Sequence, residues 1–443
     1  MSDDVEIVRA TIITMMAHIY HLTELNVISK EISSKILREL LHLLESPEVL
    51  FKQDFEDIHE ALEAYLIDKL GIDGGWIGIA RSRNDHVATA LRIRMREYII
   101  QLLEEILKLR YVILKRAKKY IDTLIPTFTH QQPAQITTIG HYLLSIDEML
   151  RTYWKTIKHI LEEVVNKSPL GSGASAGTIV NLDRYRLAEL LGFNGIVVNT
   201  LYAIETRNFF TITLSIINSM LIELNRFIND LITWSTPEFN YIKNPKDHVA
   251  TSSIMPHKQN PVTLEIFRAR IGEAYAHYSA IMNILRPLCK GYLLDMQEAS
   301  RHAWNVLKIT LEGIKILNDY LSKIKFNIKV LEEEVNKYPL ISSEIVEYLT
   351  LSSRRSFREV YFQIAEEIKK NINIQEKYGI KPRDIIRLKS IAGSPNPKLL
   401  EVEIESNVKE LNNLMKELQE FRSRVENSIN RLIKSCEEIA KLS

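Results

Sequence analysis

Three stretches of this chain, residues 79–125, 196–236 and 398–443, contain neither glycine nor proline. Those two residue types are what usually end a helix, so uninterrupted runs of this length leave long helices as the economical solution. The apolar pattern agrees. Ile93, Tyr98, Leu102, Ile106, Leu109 and Ile113 recur every three to five residues, the spacing of one helix face. Within 208–222, Phe209, Phe210, Ile212, Leu214, Ile216, Ile217, Met220 and Leu221 point around the whole circumference, which predicts a helix covered on all sides. The expected class is all-α.

The remaining segments divide the chain. Residues 1–80 read as short helices ending in a Gly-rich loop at 71–78, residues 81–330 as a central long-helix bundle domain, and residues 331–443 as a C-terminal helical domain. Pro339, Pro382, Pro395 and Pro397 break 338–400 into shorter helices. Beyond them Ile404, Val408, Leu411, Met415, Leu418, Val425, Ile429, Leu432, Cys436 and Ile439 form a 4–3 stripe broken at Arg422, predicting an amphipathic helix that packs on its own chain. A net charge of +1 gives no support for a nucleic-acid or membrane-surface partner, and two cysteines fit a reducing compartment. The longest uncharged stretch, 123–146, holds two prolines, several glutamines and two histidines, so no membrane helix is expected. A cytoplasmic location follows as an expectation.

Chemistry is expected where the helices stop: the Gly clusters at 71–78 and 171–177, the polar stretch 126–135, and the loop 251–261. That last loop reads Thr251-Ser252-Ser253-Ile254-Met255-Pro256-His257-Lys258-Gln259-Asn260-Pro261. A serine hydroxyl is too weak an acid to act as a base at neutral pH unless a cation or converging amide donors stabilise its alkoxide. Lys258 is able to supply that field, or to stabilise a carboxylate gaining charge. On composition alone the same residues make a plain turn. His18 and His21 match no metal motif, and neither a P-loop nor a dinucleotide fingerprint occurs. The positives between Lys108 and Lys119 read as a solvated helix face.

The order of residues resolves the ambiguity. The loop resembles the GSSxMPxKxNP signature of the fumarase/aspartase superfamily, met at all but its first position. Five further segments resemble the argininosuccinate lyases: Glu56-Asp57-Ile58-His59 with Leu66-Ile67-Asp68-Lys69; Arg81-Ser82-Arg83-Asn84-Asp85; Phe128-Thr129-His130-Gln131; Pro169-Leu170-Gly171-Ser172-Gly173-Ala174 with Asp183-Arg184; and Asp295-Met296-Gln297-Glu298. They occur in family order over residues 55–298.

That resemblance implies an enzyme splitting argininosuccinate into arginine and fumarate by β-elimination, without cofactor or metal. It implies Ser252 as base with Ser253 as second choice, Lys258 and Asn260 at the reacting carboxylate, and a His130–Glu265 pair for proton delivery. It further implies Arg83, Asn84 and Thr129 at substrate carboxylates, and Asp57, Tyr292 and Gln297 at the arginine portion. The implied assembly is a homotetramer with a 20-helix core, five helices from each chain, and active sites shared between subunits. Another fumarate-releasing lyase, such as an adenylosuccinate lyase, and a catalytically weak structural homologue are the alternatives.

Departures are also visible. Thr251 stands where the signature has glycine, and Ala299 and Ser300 where the family has the acidic and basic residues of QEDK. The family's opening segment, with a WGGRF-like motif, has no counterpart ahead of the first long helix. Substrate contacts are therefore expected to differ more than the reaction type.

Overall fold

The structure, a computed structural model, describes residues 2–52 and 55–442; among them are sixteen α-helices and six short strands, as the all-α reading expects. Helices α1 (Val8–Glu24), α2 (Lys30–Glu45) and α3 (Ile58–Leu70) open the chain. The Gly-rich 71–78 segment, expected as a loop, instead winds as a 3₁₀ helix, Gly71–Gly78. It packs hard on the end of α3: a Cβ added at Gly74 would sit 2.3 Å from the Leu66 carbonyl oxygen.

Helix α4 (Arg83–Lys119) starts with a complete capping box, Ser82 and Asp85 each accepting from the other's end of the first turn. Its 37 residues span roughly 55 Å at 1.5 Å per residue. All six residues of its predicted stripe, from Ile93 to Ile113, are buried. The polar stretch 126–135 contributes to an antiparallel hairpin, β1 (Leu124–Thr129) with β2 (Gln132–Thr138). Helix α5 (Ile139–Ile160) runs into a single π turn, Leu161–Val165. After α6 (Arg184–Leu190) and α7 (Thr200–Glu205) comes α8 (Asn208–Trp234), then the short strands β3 (Ile242–Lys243), β4 (Ala250–Thr251) and β5 (Gln259–Asn260). Helices α9 (Val262–Leu285) and α10 (Asp295–Lys323) follow, with β6 (Lys325–Phe326) pairing to β3. The chain ends in α11 (Ile328–Lys337), α12 (Ser342–Ser353), α13 (Phe357–Lys369), α14 (Ile374–Tyr378), α15 (Pro382–Leu388) and α16 (Pro397–Ala440).

The five longest helices before α16 close into a ring, α4 against α5, α5 against α8, α8 against α9, α9 against α10, and α10 back against α4. A buried ion pair locks one seam. Arg110 donates from Nε to Asp147 Oδ1 at 2.8 Å, both side chains are fully buried, and Asn407 of α16 donates to Asp147 Oδ2 at 3.1 Å. Another seam closes by contact, because a Cβ added at Gly313 would lie 1.8 Å from the Phe267 ring. One large hydrophobic core runs from the N-terminal helices through the ring to α16, and a smaller one gathers Leu124, Ile136 and residues of 335–386.

Helix α16 lies along α2 and α4 of its own chain. Its buried seam differs from the predicted stripe. Asn407, Leu414 and Phe421 are buried, whereas Val408 is half-buried and Met415 exposed. A 3.6-residue turn drifts against a strict 4–3 alternation, and Phe421 carries the seam past Arg422. The last helical carbonyl, Ala440 O, accepts from Ser34 Oγ at 3.2 Å and Arg38 Nη2 at 3.0 Å, so α2 holds the C-terminal end.

The expectation that α8 is enclosed fails within a single chain. Phe209, Phe210, Leu214, Ile217, Met220 and Leu221 are buried, but Ile212 and Ile222 are exposed and Ile216 is half-buried. On α9 only Leu264, Phe267, Ile271, Ala274 and Ile281 are buried. The reason is geometric: a ring of five helices covers the inward face of each and leaves the outward face open. Among the described residues no helix is long and apolar enough to cross a membrane.

Candidate active site

The predicted site residues fall in three places. The first lies where α3 and α4 begin. Asp57 caps α3 by accepting from Glu60 N at 2.8 Å and is itself buried. Arg83 Nη1 reaches Glu56 Oε2 at 3.2 Å and Asp57 Oδ2 at 3.4 Å. Asn84 donates to the Ala174 carbonyl at 3.1 Å, joining α4 to the Gly171–Ala174 loop. Tyr292 and Gln297 meet one another, Gln297 Nε2 donating to the tyrosine hydroxyl at 3.1 Å. Burial raises the Tyr292 phenol, and the carboxylates of Asp57 and Glu56 add to that rise, so this pair faces the Asp57 group. Asp57 and Gln297 line one narrow cleft, with His59, Arg207, Ser300 and Trp304.

The loop at 171–173 is held to this place by Asp85, a residue of the Arg81–Asp85 motif to which the resemblance assigned no role. Asp85 is fully buried, and its Oδ2 accepts from Gly171 N at 3.1 Å and Gly173 N at 3.0 Å while Oδ1 accepts from Ser82 N at 3.1 Å. Burial pushes its carboxyl up to about 7 against those three donors. Gly173 adopts φ +62°, and a Cβ there would meet Gly177 O at 2.6 Å, so the turn admits only glycine without rearrangement. The signal was present in the chain: an aspartate four residues from Arg81 at a helix start, and a GSG turn.

The second place is the serine loop. Strands β4 and β5 clamp its base, Ala250 opposite Asn260 and Thr251 opposite Gln259. Ser252 N donates to Lys258 O at 3.1 Å and Lys258 N to Met255 O at 3.0 Å. Ser252 Oγ accepts from Met255 N at 3.2 Å and Ile254 N at 3.4 Å. Two backbone donors therefore converge on that hydroxyl, the arrangement an alkoxide requires. Ser253 and Lys258 are exposed, Asn260 half-buried, and Glu265 stands exposed in the first turn of α9. Thr251 causes no distortion, because its backbone keeps negative φ as part of a strand.

The third place is the tip of the β1–β2 hairpin. Thr129 pairs with Gln132, and His130 and Gln131 form the two-residue turn with φ +52° and +60°. Turns with two left-handed residues normally take Asn-Gly, so a histidine here sits in a costly conformation, and such positions cluster at functional sites. Thr129 and His130 are exposed. Among the described residues His130 and Glu265 share no hydrogen bond or ion pair, and the serine loop makes none to Arg83, Asn84 or Asp57. One chain brings Asp57, Arg83, Asn84, Tyr292 and Gln297 together, and presents the other two groups outward.

Asp247, His248 and Asp319 bring ligand-type atoms within 4.8 Å of one another. Lys323 Nζ already sits on both carboxylates, and His248 Nε2 is 2.9 Å from Asp319 Oδ2, so the cluster is an ion-pair network.

Comparison with known proteins follows the same lines. A family model described as lyase matches residues 2–274. The argininosuccinate lyase of Pyrobaculum arsenaticum is 43% identical, over 89% of this chain and 90% of its own length. That of Sulfolobus acidocaldarius is 40% identical over 95% and 91%, and that of Pyrococcus furiosus 38% identical over 95% and 93%. Among solved structures, EDDS lyase in complex with formate superposes with a TM-score of 0.91 at 23% identity, covering 99% of this chain and 92% of the other. The class II fumarase of Schistosoma mansoni gives 0.69 at 16% identity, covering 85% and 90%.

Proposed function

The chain belongs to the argininosuccinate lyase family, and from that membership we propose that it cleaves argininosuccinate into arginine and fumarate by β-elimination. The extent of the likeness to the archaeal argininosuccinate lyases, spread over most of both chains, carries this reading.

The roles assigned to individual residues are our proposal. Ser252 Oγ takes the proton from the carbon beside the succinyl carboxylate; the convergence of Met255 N and Ile254 N on this hydroxyl favours it over Ser253. The electron pair moves into the carboxylate, which Lys258 and Asn260 hold as it gains charge. The C–N bond then breaks, and the His130–Glu265 pair delivers a proton to the departing nitrogen. Arg83 pairs with a substrate carboxylate through its planar guanidinium, assisted by Asn84 and Thr129. Asp57, Tyr292 and Gln297 take the arginine portion.

Because one chain carries these groups in three separate places, two of them facing outward, we propose a homotetramer in which three chains complete each site. The exposed faces of α8 and α9, with Ile212, Ile222, Ile266 and Tyr275, supply apolar surface for that assembly. We also propose a cytoplasmic location and the three-part organisation 1–80, 81–330 and 331–443.

The test is fumarate release, followed by absorbance near ~240 nm, with argininosuccinate and adenylosuccinate offered separately; double-bond conjugation to two carboxylates makes the product visible. Absorbance should rise with argininosuccinate alone and vanish in Lys258→Ala, whose exposed side chain leaves the fold intact. A rise with adenylosuccinate alone would transfer the assignment to that lyase. No rise with either would leave a structural homologue.

A further inference from the structure

Arg207 lies between α7 and α8, in the break that no glycine or proline announces. It is 4% exposed, and its Nη1 donates to the carbonyls of Ile204 and Thr206 at 3.1 Å each. Its Nε has no partner. Among the described residues no carboxylate pairs with it, since the nearby Glu205 is turned to Lys290 Nζ at 2.6 Å and Gly291 N at 2.7 Å. The Tyr292 ring lies 5.9 Å from the guanidinium carbon. A second buried guanidinium, that of Arg92, adds repulsion instead of relief. Its own donors serve the Val164 and Val165 carbonyls.

A guanidinium taken out of water without a counter-ion costs several kcal/mol, and such a group persists where structure or a ligand offsets it. Of the side chains lining the Asp57 cleft, Arg207 is the one that is charged positive at neutral pH; burial holds His59 down near 4 and therefore neutral, while Arg207 falls only to about 10. The α10 side of the cleft offers the neutral groups Gln297 and Ser300. One cleft thus carries carboxylates, Asp57 and Asp4, and an unpaired guanidinium.

We propose that Arg207 and Asp57 together form the binding site for an α-amino-acid zwitterion, Arg207 taking the α-carboxylate and Asp57 the α-ammonium of the arginine end of the substrate. This rests on the lyase reading for the identity of the substrate, but the site itself is defined by its two opposite charges. A bidentate carboxylate on the guanidinium supplies the missing counter-ion.

The experiment is calorimetric titration with arginine and with agmatine, which is arginine without its α-carboxylate. The intact protein binds arginine at least ~10-fold more tightly, the scale of one charge-assisted pair. In Arg207→Gln that gap closes because arginine weakens while agmatine does not, and KM for argininosuccinate rises more than kcat falls. Arg207→Lys restores part of the gap. A merely structural role would weaken both ligands together. Equal binding of arginine and agmatine by the unaltered protein, or a gap that survives in Arg207→Gln, overturns the proposal. If Arg207→Gln does not fold, arginine methyl ester on the unaltered protein gives the same reading, and undiminished binding of the ester overturns it. Fumarate release is measured separately, so a protein that discriminates arginine from agmatine yet releases no fumarate retires the lyase reading and leaves this site standing.

Discussion

Three histidines around the start of α4 show how a buried side chain decides the response to pH. His18, His59 and His86 are each at most 2% exposed. Burial lowers His18 and His59 to about 4 and His86 well below its ordinary value, and both ring nitrogens of His86 lack partners. Folding therefore excludes protons that the unfolded chain accepts below pH 6.5, so stability is complete above that value and drains away as pH falls toward 4. Each histidine with a printed shift accounts for roughly 3 kcal/mol over this window at 1.36 kcal/mol per unit. Asp85, raised to about 7 by burial, acts with opposite sign across the same window, and three histidines outweigh it. Tm should consequently drop between pH 7 and pH 5, and the non-ionising His86→Gln should drop less over that interval. Parallel profiles for the two proteins would contradict this. His18 and His59 stand out in the sequence, His59 inside a motif, and His86 directly follows the Arg81–Asp85 motif, but their burial was not legible there. It depends on α1 crossing the N-termini of α3 and α4, which no local pattern encodes.

At the scale of an element, the turns are more instructive than the helices. The stripe from Ile93 to Ile113 was legible because a 3.6-residue period and a buried face are the same statement. The hairpin at 124–138 was not, since two left-handed residues without Asn or Gly carry no turn signature. The α16 seam was read one position out at Val408 and Met415, because a 4–3 rule and a straight helix part company over 44 residues. The 171–177 turn supplies a paired test. Gly173 and Gly177 both have positive φ, but a Cβ at Gly177 meets nothing within 4 Å, whereas one at Gly173 meets a backbone oxygen. Gly177→Ala should cost about 1–2 kcal/mol, the ordinary left-handed penalty. Gly173→Ala should cost more and raise KM, because the same turn receives Asn84 through Ala174 O. Denaturation midpoints that fall equally in the two variants would argue that the close approach is relieved by backbone movement.

For the whole molecule, the separation of the three groups on one chain governs what can be tested. Motif order named the candidate site residues, yet not that His130 and Glu265 stay apart within a chain, because sequence similarity carries no symmetry operator. If each site draws the hairpin from one chain and the serine loop from another, mixed oligomers of His130→Asn and Lys258→Ala chains contain some sites with both groups intact. Activity after co-refolding should exceed that of either parent at the same concentration, while light scattering gives four times the 51.3 kDa chain mass. A mixture no better than its parents would place the hairpin and the loop in the same protomer's site.

The bonds from Ser34 and Arg38 to the carbonyl of Ala440 bear on how the protein is made as well as on what it is. Leu37, Leu40 and Leu43 of α2 belong to the core that α16 helps to cover. A chain emerging from the ribosome at roughly 5–20 residues per second exposes those leucines for on the order of tens of seconds before their cover is synthesised. Nascent-chain pulldown should accordingly find chaperones on partly translated chains and lose them only on release of the finished polypeptide.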